Sequence, residues 1–126
     1  SIVKLGRIRD ILGLYTSQPK GDYRSLAKIL GQAKALTESL GGKLYFTYIP
    51  KNTRFFGLGR YTQLSDRIRD RVLSVAKKLS LPIIDVTGVF KSFAEPRQLF
   101  DSAFVHYSPV GYKLVADTII KNLSED

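Results

Sequence analysis

The sequence predicts an α/β fold with parallel strands, and two observations lead to this prediction. Three segments carry apolar residues at steps of three and four, which is typical of helices that bury one face. Two short segments rich in aromatic and β-branched residues lie between them, as buried strands do. Helix, strand, helix, strand, helix is the order in which right-handed crossovers join parallel strands. In such folds the site lies in the loops after the carboxyl ends of the strands.

The first half of the chain contains two predicted helices and one predicted strand. Residues 2–15 have the pattern of a short basic amphipathic helix. Asp22 is a good N-cap for a second helix, 22–40, which Gly41 and Gly42 would end. We expect this helix to bury one face, formed by Leu26, Ile29, Leu30, Ala33, Leu36 and Leu40. Residues 43–49 follow as a strand covered on both faces.

The second half repeats this alternation. A loop over 51–60 leads into an amphipathic helix, 62–79, and then into a second buried strand, 82–86. A short apolar helix is predicted around 88–93. The last helix is predicted over 109–123.

The only histidine of the chain, His106, stands directly before this last helix. Ser108 can cap the helix, and Pro109 suits its first position because proline lacks the N–H that would go unpaired there. Neither task needs a histidine. His106 is therefore predicted to lie in a loop, where an imidazole can exchange a proton near neutral pH, or can simply satisfy a backbone carbonyl.

Length and composition restrict the class of protein. The 126 residues form a single domain, 1–126, and because they include no methionine we expect them to be a piece of a longer protein. With no cysteine and one histidine, no metal site is expected. No segment is apolar for long enough to cross a bilayer. The net charge of +9 attracts polyanions, but the basic residues alternate with apolar ones as on solvated helix faces, so nucleic acid is an unlikely partner.

Three stretches, "LYFTYIP", "LPIIDVTGVF" and "LFDSAFVHYSPVGYKLVADTII", together resemble the carboxyl-terminal half of the SGNH (GDSL-type) hydrolase superfamily. In that family a late strand ends in two hydrophobic residues and an aspartate, as 83–85 do here. A loop with the catalytic histidine follows, and then a helix that begins with a Gly-aromatic pair and continues to an alanine. His106, Gly111, Tyr112 and Ala116 match that loop and helix.

The resemblance covers most of residues 22–123 and implies both a fold and an activity. The implied fold is part of a three-layer α/β/α, flavodoxin-like arrangement whose N-terminal strands are missing from this chain. The implied function is that of a serine esterase or acyl hydrolase, or an O-acyltransferase, that acts on carbohydrate or lipid esters without a cofactor. His106 would be the general base.

The catalytic set that the family implies is incomplete in this sequence. The nucleophilic serine and the oxyanion donors belong to the first half of the family fold, so we expect this chain alone to be inactive. The stretch "GDYRSL", 21–26, looks like the family's Gly-Asp-Ser-Leu box with Tyr23 in place of serine. It follows a loop instead of a buried strand, so we interpret it as a helix cap.

The sequence departs from the family at the carboxylate that orients the histidine. Ala103 stands three residues before His106, where the family has aspartate. Asp101 is the nearest carboxylate and is our candidate for the orienting role. Glu95, Asp85 or a backbone carbonyl are the alternatives, and an aspartate at a strand end also commonly caps the following turn.

Substrate-binding residues are expected at the carboxyl end of the first strand and beside the histidine. Arg54, Phe55 and Phe56 follow that strand, and Tyr107 adjoins His106. Basic and aromatic side chains together suit a sugar ring, an acyl chain or an anionic group. The phenylalanines could equally pack onto neighbouring helices. Two other functions stay open: a non-catalytic SGNH-like domain that binds a glycan or a protein, and a basic nucleic-acid-binding module.

Overall fold

The computed structural model of the chain describes residues 21–56, 59–101 and 106–125, and it does not describe the side chains of 56 and 59–61. The predicted helix over 2–15 lies outside the described residues. The structure is a mixed α/β arrangement, mostly helical, with one short parallel sheet. In chain order the elements are α1 (Tyr23–Ser39), β1 (Phe46–Tyr48), α2 (Thr53–Phe56), α3 (Gly59–Lys78), β2 (Ile83–Asp85), α4 (Thr87–Ser92), the 3₁₀ helix η1 (Pro96–Leu99) and α5 (Pro109–Ser124).

The predicted parallel pair of strands is confirmed. β1 and β2 pair in the register Phe46↔Ile83, Thr47↔Ile84 and Tyr48↔Asp85. Each strand is shorter than the predicted 43–49 and 82–86. The sheet has two strands in the described part of the chain, so each strand has an edge without a strand partner. All three residues of β1 are consequently half-buried, and the expected burial of this strand on both faces is not found.

Helix α3 is the crossover that joins the two parallel strands, and it contacts both of them. Its residues Leu73 and Ala76 are buried, which fixes one face of the helix against the sheet. The segment before it differs from our prediction. Residues 53–56, which we expected to be part of a loop, form the short helix α2.

Helix α1 begins and ends where the sequence predicts. The side chain of Asp22 accepts a hydrogen bond from the amide of Ser25 at 2.9 Å, as an N-cap does. The helix is followed by Gly41 with φ of +75°, a conformation that glycine adopts at little cost. The amide of Gly42 then donates to the carbonyl oxygen of Thr37 at 2.9 Å.

The predicted buried face of this helix is wrong at three positions. Ile29, Leu36 and Leu40 are 61%, 63% and 78% exposed, and we call these three residues the outer face of α1. Because the helix packs on α3 by a different side, this face stays uncovered.

The side of α1 that meets α3 carries polar and aromatic groups. The guanidinium of Arg71 lies 5.7 Å from the centre of the Tyr23 ring. The ammonium of Lys34 donates to the carbonyl oxygen of Leu79 at 2.9 Å, so these contacts orient α1 on its neighbour.

A cluster of aromatic rings lies where α2, α4, η1 and the segment before α5 meet. We call Phe55, Phe90, Phe100 and Tyr107 the aromatic core. Their ring centres lie 5.3 to 6.1 Å apart in the five contacts between them. Phe90 is fully buried, and aliphatic side chains such as Val115 complete the cluster. It supports the region beyond the carboxyl ends of the two strands.

Candidate functional site

His106 lies beside a short antiparallel contact between two segments of the chain. Phe100 and Tyr107 form an isolated antiparallel bridge between these segments. Next to the bridge, the amide of Asp101 donates to the carbonyl oxygen of His106 at 2.9 Å. The backbone therefore holds these two residues opposite each other. His106 itself is exposed.

The first turn of α5 is fixed to the segment before the loop. The amide of Ser108 donates to the carbonyl oxygen of Leu99 at 3.0 Å. The Ser108 hydroxyl accepts from the amide of Gly111 at 3.1 Å and donates to the carbonyl oxygen of Gln98. The predicted N-cap at Ser108, with Pro109 in the first turn, is thereby confirmed. His106 lies outside the helix, as predicted.

Gly111 permits this close approach. A Cβ atom at position 111 would lie 2.1 Å from the carbonyl oxygen of Leu99 and 3.2 Å from the Cβ of Tyr107. The first of these distances is far inside van der Waals contact with rigid backbone. A glycine is therefore required here for packing, whatever the chemistry of the neighbouring loop.

The described residues around His106 and the chain beyond β1 together line a cavity of about 510 Å³. Its lining residues come from both segments and from the first turn of α5: Lys51, Asn52, Thr53, Phe100, His106, Tyr107 and Tyr112. The cavity thus opens just beyond the carboxyl end of a parallel strand, the usual place for a site in such sheets. Its size is within the range of small-molecule sites.

Tyr107 holds the two walls of this cavity together. Its hydroxyl donates to the carbonyl oxygen of Pro50, directly before the lining residues Lys51 to Thr53. Its ring packs edge-on against Phe90 and against Tyr112, with ring centres 5.5 and 5.6 Å apart. Burial raises the pKa of Tyr107 to about 12, with smaller contributions from neighbouring tyrosines. The Tyr107 side chain is therefore neutral at neutral pH. Its hydroxyl is already engaged as a donor to the carbonyl oxygen of Pro50.

The carboxylates proposed to orient the histidine are placed differently from one another. Asp101 is the one that the backbone brings next to His106. Glu95 is exposed at the residue before η1. Asp85 lies at the end of β2, where its carboxylate is already engaged. The orienting role of Asp101 stays a prediction.

Asp85 caps the turn that follows its strand, as the alternative interpretation predicted. Its Oδ1 accepts from the amide of Thr87 at 3.0 Å, and its Oδ2 accepts from Nε of Arg69 at 2.8 Å and also from Nη2. Burial raises the pKa of Asp85, but the hydrogen bonds from Arg69 and Thr87 outweigh it and hold the pKa below its usual value. The carboxylate links α3 to the start of α4.

Arg54 directly follows the lining residue Thr53 in sequence, but it is not among the described residues that line the cavity. Its side chain is 2% exposed and forms an ion pair with Asp66 of α3. Within the part of the chain that the structure describes, its Nε and Nη1 atoms have no hydrogen-bond partner. The substrate-binding role of Arg54 stays a prediction, and its observed contact joins α2 to α3.

The two phenylalanines after Arg54 also differ from each other. Phe55 packs on Phe90 and Phe100, with ring centres 6.1 and 5.9 Å apart, which agrees with the packing alternative. Phe56 is the last residue of α2, and its side chain lies outside the described residues.

Sequence reasoning missed several of the residues that line the cavity. It placed the site at the carboxyl end of β1, but it selected residues 54–56 instead of Lys51, Asn52 and Thr53. The sequence did contain a signal for these residues. They are closer along the chain to the end of the strand than 54–56, and in parallel sheets the site lies just beyond the carboxyl ends of the strands. Tyr112 was noted only as half of the Gly-aromatic pair, although an aromatic residue in a first helical turn beside a loop is a candidate lining residue.

The chemistry available in the cavity is proton transfer and hydrogen bonding. The His106 imidazole can accept or donate a proton, and an amide and hydroxyls supply further polar groups. Among the described lining residues there is no serine and no carboxylate. In the described ranges no three histidine, aspartate or glutamate side chains are close enough together to hold a metal ion.

The chain matches no protein-family profile, no curated protein sequence and no solved structure. In the described residues, none of the helices combines the length and the apolar character needed to cross a membrane.

Proposed function

We propose that the chain is the carboxyl-terminal part of an SGNH-type serine esterase or acyl hydrolase, or an O-acyltransferase, that acts on carbohydrate or lipid esters. The observation that carries the proposal is the position of His106. The imidazole lines a cavity beyond the end of a parallel strand, directly before a helix with the family's Gly-aromatic start. A general base for a serine hydroxyl needs such a position.

In this proposal His106 removes the proton from a serine hydroxyl as the serine attacks the ester carbonyl. It then protonates the leaving alcohol. The serine and the oxyanion donors come from residues upstream in the parent protein. Their strands would extend the sheet along the free edge of β1 and give the three-layer, flavodoxin-like arrangement. Asp101, opposite His106 across the bridge, is the proposed orienting carboxylate.

The decisive experiment compares the parent protein with its His106→Ala variant on p-nitrophenyl acetate. We expect kcat to fall by roughly 10²- to 10⁴-fold, because the general base is lost. Stability should change little, since the exposed His106 contributes little packing. Equal kcat in the two proteins would contradict the proposal.

A second pair of variants tests the orienting carboxylate. Asp101→Asn should lower kcat less than His106→Ala, because the imidazole stays present with a less favoured tautomer. The double variant should be hardly slower than His106→Ala alone, since the two residues would act as one unit. If Asp101→Asn matches the wild type, Glu95 or a backbone carbonyl takes the role instead.

A non-catalytic domain that binds a glycan is the second candidate function. It is favoured by the absence of serine and carboxylate groups among the described lining residues, and by the alanine at position 103. The 126-residue chain itself distinguishes the cases poorly, because both candidates predict that it lacks esterase activity. No turnover of p-nitrophenyl acetate by the wild-type parent, together with glycan binding, would favour the binding domain.

A further inference from the structure

The described lining of the cavity beside His106 includes a cationic side chain and no carboxylate. Lys51 is its only permanently cationic lining residue in the described structure. Besides His106, the other described lining side chains are neutral. Outside the lining, the carboxylates of Asp66 and Asp85 are paired with arginines, and Asp101 is the acidic residue that the backbone holds opposite His106.

The cavity also offers an aromatic wall. Tyr112 is 57% exposed, so much of its ring surface is open to a ligand. The ring is supported from behind by Tyr107, which the aromatic core and Pro50 hold in place. Asn52 and Thr53 line the same cavity from the segment after β1 and bring an amide and a hydroxyl. An exposed ring face and hydrogen-bonding groups in one cavity suit a sugar ring, which presents C–H bonds on its faces and hydroxyls at its edge.

We propose that this cavity binds an acidic sugar, a uronic acid residue within the esterified carbohydrate, with its carboxylate on Lys51 and its ring on Tyr112. The inference rests on the proposed function, because it assigns the substrate class of the same site. The net charge of +9 supports it, since a positive chain attracts an acidic polysaccharide over long range. His106 then lines the same cavity as the bound ring.

The single histidine makes the test direct, because the imidazole NMR signals of the chain all belong to His106. The 126-residue chain is titrated with sodium glucuronate, with glucose and with sodium benzoate at constant ionic strength. We expect glucuronate to bind about 3- to 10-fold tighter than glucose, as expected for one charge-assisted contact in a half-open cavity. Benzoate shares the charge but lacks the hydroxyl groups, so it should bind more weakly than glucuronate.

Two variants and a control locate the contacts. Lys51→Ala should remove the preference for glucuronate over glucose, whereas Tyr112→Ala should weaken both sugars by a similar factor. Lys91→Ala is the matched control, because Lys91 is an exposed lysine of α4 outside the cavity lining.

The inference is overturned if glucuronate binds no tighter than glucose, or if Lys51→Ala keeps the preference. Benzoate binding as tight as glucuronate would overturn the assignment to a sugar. These outcomes are independent of the proposed function, whose failure appears as unchanged kcat in the His106→Ala parent.

Discussion

The aromatic core and the outer face of α1 contain apolar side chains of similar size, yet they are buried to opposite degrees. Phe90 is fully buried, whereas Leu36 is 63% exposed. The aromatic core joins α2 to three later parts of the chain, α4, η1 and the segment before α5, while α1 is held mainly by contacts with α3. Apolar spacing thus predicts that a helix forms, but the neighbours decide which of its faces is buried. The predictions below test this difference.

Removing a ring from the aromatic core should have the largest effect. Phe90→Ala is expected to lower the free energy of unfolding by about 3 to 5 kcal/mol, because a fully buried ring leaves a cavity. Leu36→Ala, the matched change on α1, should alter it by no more than about 0.5 kcal/mol. Urea unfolding followed by circular dichroism measures both. Equal losses would show that the outer face of α1 is covered in solution.

Filling the close approach at Gly111 should be the next most damaging change. Gly111→Ala is expected to lower the free energy of unfolding by about 3 kcal/mol, because the new Cβ would overlap the carbonyl oxygen of Leu99. Gly88→Ala is the control, since nothing lies within 4 Å of a Cβ there. It should stabilise α4 by up to about 1 kcal/mol. A neutral Gly111→Ala would mean that α5 can shift away from η1.

The contacts of Asp85, which join α3 to the start of α4, should be sensitive to acid. The hydrogen bonds of Asp85 outweigh its burial and lower its pKa in the folded state, so its contribution is present at neutral pH and is lost as pH falls below about 4. Asp85→Asn should lower the free energy of unfolding by about 2 kcal/mol at pH 7, and the difference from wild type should shrink in acid. Asp70→Asn, at a 69% exposed partner of the same Arg69, should cost no more than about 0.5 kcal/mol. A difference for Asp85→Asn that is constant with pH would contradict this assignment.

Tyr107 should make the smallest of these contributions and the only one that depends on alkaline pH. Tyr107→Phe keeps the ring but leaves the carbonyl of Pro50 without its donor, which should cost about 1 kcal/mol. The folded pKa of about 12 lies above the ordinary value of 10.0, so the unfolded chain loses this proton first. Wild-type stability should therefore fall between pH 10 and pH 12, and the variant should lack this part of the fall.

The predictions from sequence succeeded where short-range chemistry decides the structure. The caps at Asp22 and Ser108, and the turn after Asp85, depend on residues two or three positions apart, and each was correctly predicted or foreseen as an alternative. The parallel strand pair was predicted from segments with helical apolar periodicity that alternate with short strand-like segments.

Predictions that depended on packing between distant segments were less successful. The charged side chain of Arg54 is of a kind that often binds ligands. In the structure, however, its buried guanidinium forms an ion pair with Asp66 of another helix. Lys51 looked like an ordinary loop residue, and only the folded chain brings it into the lining of the cavity that His106 also lines. No local pattern encodes which side of a helix turns toward its neighbour, so the outer face of α1 could not be predicted either.

The hydrogen bond between Tyr107 and Pro50 also has a consequence for the order of folding. It joins residues 57 positions apart, so a long loop must close before it can form. Contacts that form after the rate-limiting step slow unfolding without speeding folding. We therefore expect Tyr107→Phe to unfold faster than wild type and to refold at the same rate, which stopped-flow kinetics can measure. In that case the hydrogen bond that joins the two sides of the cavity forms after the rate-limiting step of folding.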